Sequence, residues 1–209
     1  MHAITDTTAP RPSLDQNQVA LIKIWHGTLE PPRPPMGLLY VGAALKQAGF
    51  GVRVYHWTRE EALAGLPEVI AQRPFLVGLS IITGVPLGLV VECCARLKAA
   101  LPGVAILLGG VHATVEPEQC LAEEAVDYVL LGEGEVGAVE LALALAQGRP
   151  VEEIPGLGYK HTGQAVINPR PPLLKDLDQV AMDWTLIPVE KYIAKNYEGV
   201  PRVLFGYVA

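Results

Sequence analysis

The sequence predicts an α/β fold: a doubly wound parallel sheet with helices on both faces. Three observations carry that prediction. Short, almost wholly apolar runs recur at residues 75–82, 105–108 and 126–131, and a run without polar alternation marks a strand buried on both faces. Such runs alternate with stretches of helical periodicity, five strands with five helices, which dictates parallel pairing through right-handed crossovers. The fourth and fifth runs each end in a glycine-hinged turn, Gly109-Gly110 and Gly132-Glu133-Gly134. In open parallel sheets ligands sit outside the carboxyl ends of the strands, where both turns fall.

Taken in order, the first 18 residues are polar and proline-containing and read as a disordered lead-in. Residues 19–25 form a first strand, which runs into the proline-rich loop 30–35, unable to continue as helix or ladder. A helix starts near Met36-Gly37, carries Leu38, Leu39, Val41 and Leu45 at helical spacing, and stops at Gly49 as its C′ residue. Residues 51–57 alternate as a second strand. Thr58 then caps a helix over 59–72, with Glu60 and Glu61 in the first turn where acids are favoured. The third strand, 75–82, is apolar throughout and therefore central; Thr83-Gly84-Val85-Pro86 turns into a helix that reaches Ala100.

The fourth strand, 105–108, is followed by a loop and a short helix from Glu116, and the fifth, 126–131, by a helix over 135–147. A flavodoxin-like, Rossmann-like five-stranded order, 2-1-3-4-5, is favoured over the six-stranded dinucleotide order. Beyond Gly148, residues 154–167 read as a small C-terminal hairpin with a Thr162-Gly163-Gln164 turn. The rest, with Asp176-Leu177-Asp178 and Asp183-Trp184, reads as an irregular linker packed on the domain, and an apolar run over 200–209 suggests continuation into another domain. The expected division is thus 1–18 lead-in, 19–148 ligand-binding domain and 149–209 hairpin and linker.

Composition narrows the function. Half of the 209 residues are hydrophobic and 18% charged, enough for one well-filled core. A net charge of −6 with no basic patch argues against nucleic acid as partner. No apolar run is long enough for a spanning helix, and no signal peptide is visible, so a cytoplasmic protein without membrane partners is expected. Cys93, Cys94 and Cys120 lack metal or disulfide spacing and read as buried free thiols.

The candidate chemistry clusters at the strand ends. Gly109 and Gly110 either let a ligand approach the backbone or merely make a tight turn. Ser80 and Thr83, after the third strand, can hydrogen-bond a ligand or cap the next helix. His112 could ligate a metal or exchange protons, but no acidic or thiol partner stands at ligand spacing; His26, His56 and His161 are weaker candidates. Glu133 and Glu135 favour stabilisation of a helix start over paired acid/base work. Those acids oppose a phosphate there, the first strand lacks G-x-G-x-x-G, and no P-loop occurs. The expected occupant is bulky and mostly neutral, held by backbone and apolar walls. No catalytic triad or nucleophile elbow is visible, so no residue is assigned a catalytic or metal-ligating role.

Read together, the motifs resemble the N-terminal cobalamin-binding domain of cobalamin-dependent radical S-adenosylmethionine (SAM) enzymes. The resembling segments are Pro34-Pro35-Met36-Gly37-Leu38-Leu39-Tyr40, Gly78-Leu79-Ser80, Leu108-Gly109-Gly110-Val111-His112-Ala113-Thr114 and Gly132-Glu133-Gly134-Glu135. Ile154-Pro155-Gly156-Leu157-Gly158-Tyr159, Lys175-Asp176-Leu177-Asp178 and Asp183-Trp184 follow in the family's order. The resemblance implies a flavodoxin-like domain with base-off cobalamin across the strand ends and the nucleotide tail between sheet and helices. The residues implied in binding are Met36, Gly37, Leu38, Tyr40, Ser80, Ile81, Thr83, Gly109, Gly110, Val111, His112, Ala113, Thr114, Gly132, Glu133, Gly134 and Glu135. The D-x-H-x-x-G signature that puts a histidine on cobalt is absent, which speaks against His112 as a ligand.

The resemblance also implies a radical SAM barrel normally on the same chain, with a [4Fe–4S] cluster on C-x-x-x-C-x-x-C and S-adenosylmethionine as co-substrate. That motif does not occur here. The implied parent is a methyltransferase, with a non-methylating cobalamin radical SAM enzyme as an alternative. Two readings from other classes stay open: a flavodoxin-like binding or regulatory domain for a ligand such as flavin, and a scaffold whose site has decayed.

Overall fold

The computed structural model describes residues 14–25, 32–84, 86–170, 181–195 and 201–203. The Lys175–Asp178 motif and residues 204–209 lie outside them, as does most of the expected lead-in. Strands β1 (Asp15–Trp25), β2 (Gly51–Thr58), β3 (Pro74–Ser80), β4 (Ala105–Gly109) and β5 (Tyr128–Leu130) pair in parallel in the order 2-1-3-4-5. Between them run α1 (Met36–Gln47), α2 (Arg59–Gln72), α3 (Leu87–Ala100), the short α4 (Val111–Val115) and α5 (Pro117–Ala122), and then α6 (Glu135–Gln147).

The sheet is larger than the five strands expected. Strands β6 (Leu157–His161) and β7 (Gln164–Ile167) form the foreseen hairpin, but it joins the sheet. Strand β6 lies antiparallel on β5, giving the order 2-1-3-4-5-6-7. The physical reason is the open edge of β5, whose unpaired N–H and C=O groups need covering. Gly158 permits the contact, because a Cβ there would fall 2.4 Å from Cγ2 of Val129. Thr162 and Gly163 at positive φ (49° and 82°) make the two-residue turn that suits the twist of a hairpin. A further small pair, β8 (Ile193–Lys195) with β9 (Pro201–Val203), stands apart from the main sheet.

Local signals explain the helix limits. Thr58 and Glu61 form a reciprocal capping box at the start of α2. Gly49 follows the end of α1 at φ 95°, as the C′ assignment requires. The loop expected after β4 is instead α4, which carries His112.

The core has two faces. Ala20, Ile22 and Ile24 of β1 pack with Val77, Leu79, Ile106 and Leu108 under α2 and α3. Val19 and Leu21 pack with Leu76, Leu107 and Leu130 under α1 and α6. All three cysteines are buried free thiols, and burial pushes Cys93, Cys94 and Cys120 up to about 11, 12 and 11.

Residues 182–192, foreseen as irregular, pack against α1 and β2 through two 3-10 turns, Trp184–Leu186 and Val189–Tyr192. Gly42 leaves room for Leu186, and Lys46 pairs with Asp183, holding that carboxyl down at about 2. The Tyr192 hydroxyl lies 3.0 Å from Nδ1 of His56. His56 is 6% exposed, and burial, followed by the charges of Lys23 and Lys191, lowers its pKa to about 3.

A buried histidine with a depressed pKa binds more protons unfolded than folded. Stability is therefore retained above about 6.5 and falls with acidification until about 3. The expected result is that His56→Gln, which keeps a hydrogen bond to Tyr192, loses about 2 kcal/mol less stability than the parent between about pH 7 and 5. Urea unfolding at the two pH values measures it, and equal losses would contradict the burial argument.

Candidate functional site

The C-terminal ends of β3, β4 and β5 meet in a pocket of about 230 Å³ under α1 and α6. Nine of the sequence candidates line it: Gly37, Leu38, Ser80, Gly109, Gly110, Gly132, Glu133, Gly134 and Glu135. The walls also include Leu21, Val41, Gly78, Leu79, Leu107, Leu130 and Ala138, which the sequence reading did not place in the site. Their signal was present. Leu21, Leu107 and Leu130 share one sheet face by strand parity, while Val41 and Ala138 sit one helical turn beyond Gly37 and Gly134.

The glycines of the two turns do different work. Gly109 ends β4, and a Cβ on it, as on Gly37 or Gly132, would meet nothing within 4 Å. Packing leaves room for a side chain at all three positions; at Gly132 the backbone, at φ 79°, still favours glycine, whereas Gly37 and Gly109 carry no such constraint. Gly110 has φ 94°, and a Cβ there would lie 2.7 Å from the Ile81 carbonyl oxygen. It permits close approach of the β3 and β4 loops, sealed by hydrogen bonds from Ile81 N to Gly109 O (2.8 Å) and from His112 N to Ile81 O (3.3 Å).

Thr114 joins the two glycine turns. Its hydroxyl donates to Gly110 O and accepts from Gly132 N, both at 2.9 Å. The carboxyl of Glu135, at the start of α6, has a buried Oε2 with no hydrogen-bond partner. Burial, and secondarily the charge of Glu133, pushes its pKa up.

The other candidates lie outside the lining. Met36 and Tyr40 sit on α1 beside it, and Val111 is exposed at the rim. Ile81 and Ala113 belong to the core under α3. His112 is 5% exposed on that same side, its Nδ1 3.2 Å from the Thr83 hydroxyl, facing a smaller cleft with Leu87, Val90 and Cys120. It ties the β3 loop to α4.

A family model described as the B12 binding domain matches residues 22–142, more than half of the chain. The chain belongs to the B12-binding domain family. This B12-binding domain is 31% identical, over 84% of its length and 37% of the relative's, to an uncharacterized methyltransferase of Pyrococcus horikoshii. It is 28% identical, over 83% of its length and 35% of the relative's, to an anaerobic magnesium-protoporphyrin IX monomethyl ester cyclase of Synechocystis sp.. The chain thus spans about a third of the length of these curated relatives.

Among solved structures, the radical SAM methyltransferase TsrM from Kitasatospora setae, with cobalamin and a [4Fe-4S] cluster bound, superposes with TM-score 0.64 and 25% identity. The match covers 79% of this chain and 31% of that one. The cobalamin-dependent radical enzyme OxsB shares the fold, with TM-score 0.63 and 18% identity over 75% of this chain and 22% of that one. The flavin or regulatory alternative is not favoured. Among the described residues, no helix is long and apolar enough to cross a membrane.

The residues present fit a cobalamin tail. The cleft is open to solvent and mostly apolar in its walls, its Gly37, Gly109 and Gly132 positions leave free space, and its unpartnered carboxyl oxygen can accept from a ligand donor.

Proposed function

We propose that this B12-binding domain is the cobalamin-holding part of a longer, cytoplasmic, cobalamin-dependent radical SAM methyltransferase. On this reading residues 19–148 hold base-off cobalamin, the hairpin β6–β7 braces the sheet edge, and 149–209 as a whole serve as the hairpin and linker toward a radical SAM barrel carrying a [4Fe–4S] cluster and S-adenosylmethionine. The observation that carries it is the cleft whose glycines, Gly37, Gly109 and Gly132, have free space where a side chain would stand. The likenesses to TsrM and to the Pyrococcus methyltransferase support the choice of parent activity.

When bound, cobalamin supplies a cobalt-carried methyl group for transfer to a weakly activated carbon. The chain's own residues bind and shield. Leu21, Leu107, Leu130, Val41 and Ala138 exclude water from the tail, Glu135 Oε2 accepts a hydrogen bond, and Ser80 offers a hydroxyl at the mouth. Thr114 and the Ile81–Gly109 hydrogen bond keep the three strand-end loops in register. Met36, Tyr40, Thr83, Val111, His112 and Ala113 form the rim or support it, and no histidine side chain ligates cobalt.

The test is direct. The purified chain, mixed with hydroxocobalamin and desalted, is expected to retain it stoichiometrically with a base-off visible spectrum. A folded chain that emerges colourless would refute the reading.

A further inference from the structure

The sheet order 2-1-3-4-5 has its switch point between β1 and β3, where ligands of such sheets enter. Two residue pairs flank that point in register: Leu21 with Gly78, then Lys23 with Ser80. Leu21, Gly78 and Ser80 line the pocket. Lys23 stands two residues beyond Leu21 and so points to the same face, at the mouth. It is the fourth corner of a rectangle whose other three corners touch the cleft.

Lys23 is half-buried in the strand, and burial lowers its pKa. Among the described residues no carboxylate pairs with it. Its register partner on β2 is His56, a buried imidazole that stays neutral, and the neighbouring Lys191 donates to the His56 carbonyl and faces Glu61 at 3.7 Å. A desolvated ammonium among neutral and cationic neighbours calls for an anion from outside. Cobalamin is a corrin with neutral amide arms, and its anionic group is the phosphodiester of the nucleotide tail. The acids Glu133 and Glu135 stand on the α6 side of the pocket and leave the β1 side to that charge.

Resting on the cobalamin reading above, we propose that Lys23 is a ligand-binding residue whose ammonium holds the phosphodiester of the nucleotide tail beside Ser80. This assigns a charge contact that no glycine-rich phosphate loop announces.

The experiment measures equilibrium binding of hydroxocobalamin, cobinamide phosphate and cobinamide, which lacks the whole nucleotide tail, to the full chain and to Lys23→Met and Lys23→Arg. The parent is expected to prefer both phosphate-bearing corrinoids to cobinamide, with a salt-sensitive preference. Lys23→Met is expected to weaken those two by about tenfold or more while leaving cobinamide unchanged, and Lys23→Arg to retain most of the affinity. Equal weakening of all three would place Lys23 against the ring, and no weakening would leave it without a role; either overturns the assignment. If the methionine variant fails to fold, absence in the parent of any preference for cobinamide phosphate over cobinamide overturns it instead. A parent that binds no corrinoid at all defeats the cobalamin reading itself, a distinct result.

Discussion

Gly109→Leu is expected to weaken cobalamin binding about a hundredfold while leaving the domain folded. The substituted position closes β4, lines the pocket and has nothing within 4 Å of its would-be Cβ. Its backbone is not in the left-handed region, so leucine adds no backbone strain. The new side chain would occupy the space a ligand needs, and affinity should fall by about a hundredfold, equivalent to about 2.7 kcal/mol. The thermal midpoint should barely move, because the added Cβ would meet no packed neighbour within 4 Å. Titration with hydroxocobalamin, beside a melting curve, measures both. Unchanged affinity would mean that the cleft is not the binding site.

Gly110→Ala, one residue along, is expected to do the opposite kind of damage. Gly110 has φ 94° and ψ −171°, a region essentially confined to glycine. A methyl group would also press within 2.7 Å of the Ile81 carbonyl oxygen. The loops must separate or the backbone must twist, at a cost of about 3 kcal/mol. Chemical unfolding should show that loss without any ligand present. A variant as stable as the parent would show that the two loops are not held together here. The pair of substitutions separates a glycine kept for a ligand from one kept for the fold.

Much of the architecture was legible because it rests on local signals. Uninterrupted apolar runs marked β3, β4 and β5; Thr58 and Gly49 marked helix ends; the strand–helix alternation implied a parallel core, and the favoured flavodoxin-like order is the one its strands adopt. The hairpin was found in the right place, yet its pairing with β5 was not, since edge covering depends on which backbone groups the folded sheet leaves open. The packing of Tyr192 on His56 was equally out of reach, because it joins residues 136 apart.

The site was legible in part. Glycines after strands announced a cleft, and nine candidates line it. His112 and Ala113 shared a motif with those glycines but turn to the opposite face, because α4 rotates successive side chains away from the strand end; Ile81, next after Ser80 at the end of β3, falls on that face too. Lys23, a single cation on a strand, carries no phosphate-loop signature in the sequence.

By itself, then, the sequence determined the α/β class, the parallel pairing of its strands and the existence of a glycine-lined site, and through its ordered motifs it pointed to the family. Each of these depends on residue type and on spacing along the chain. Only the tertiary structure decided which glycine serves the cleft and which the fold, that Thr114 couples the two turns, and that Lys23 stands beside Ser80. Those are facts of distance between strands and loops, which arise only once the sheet has paired and its register is set.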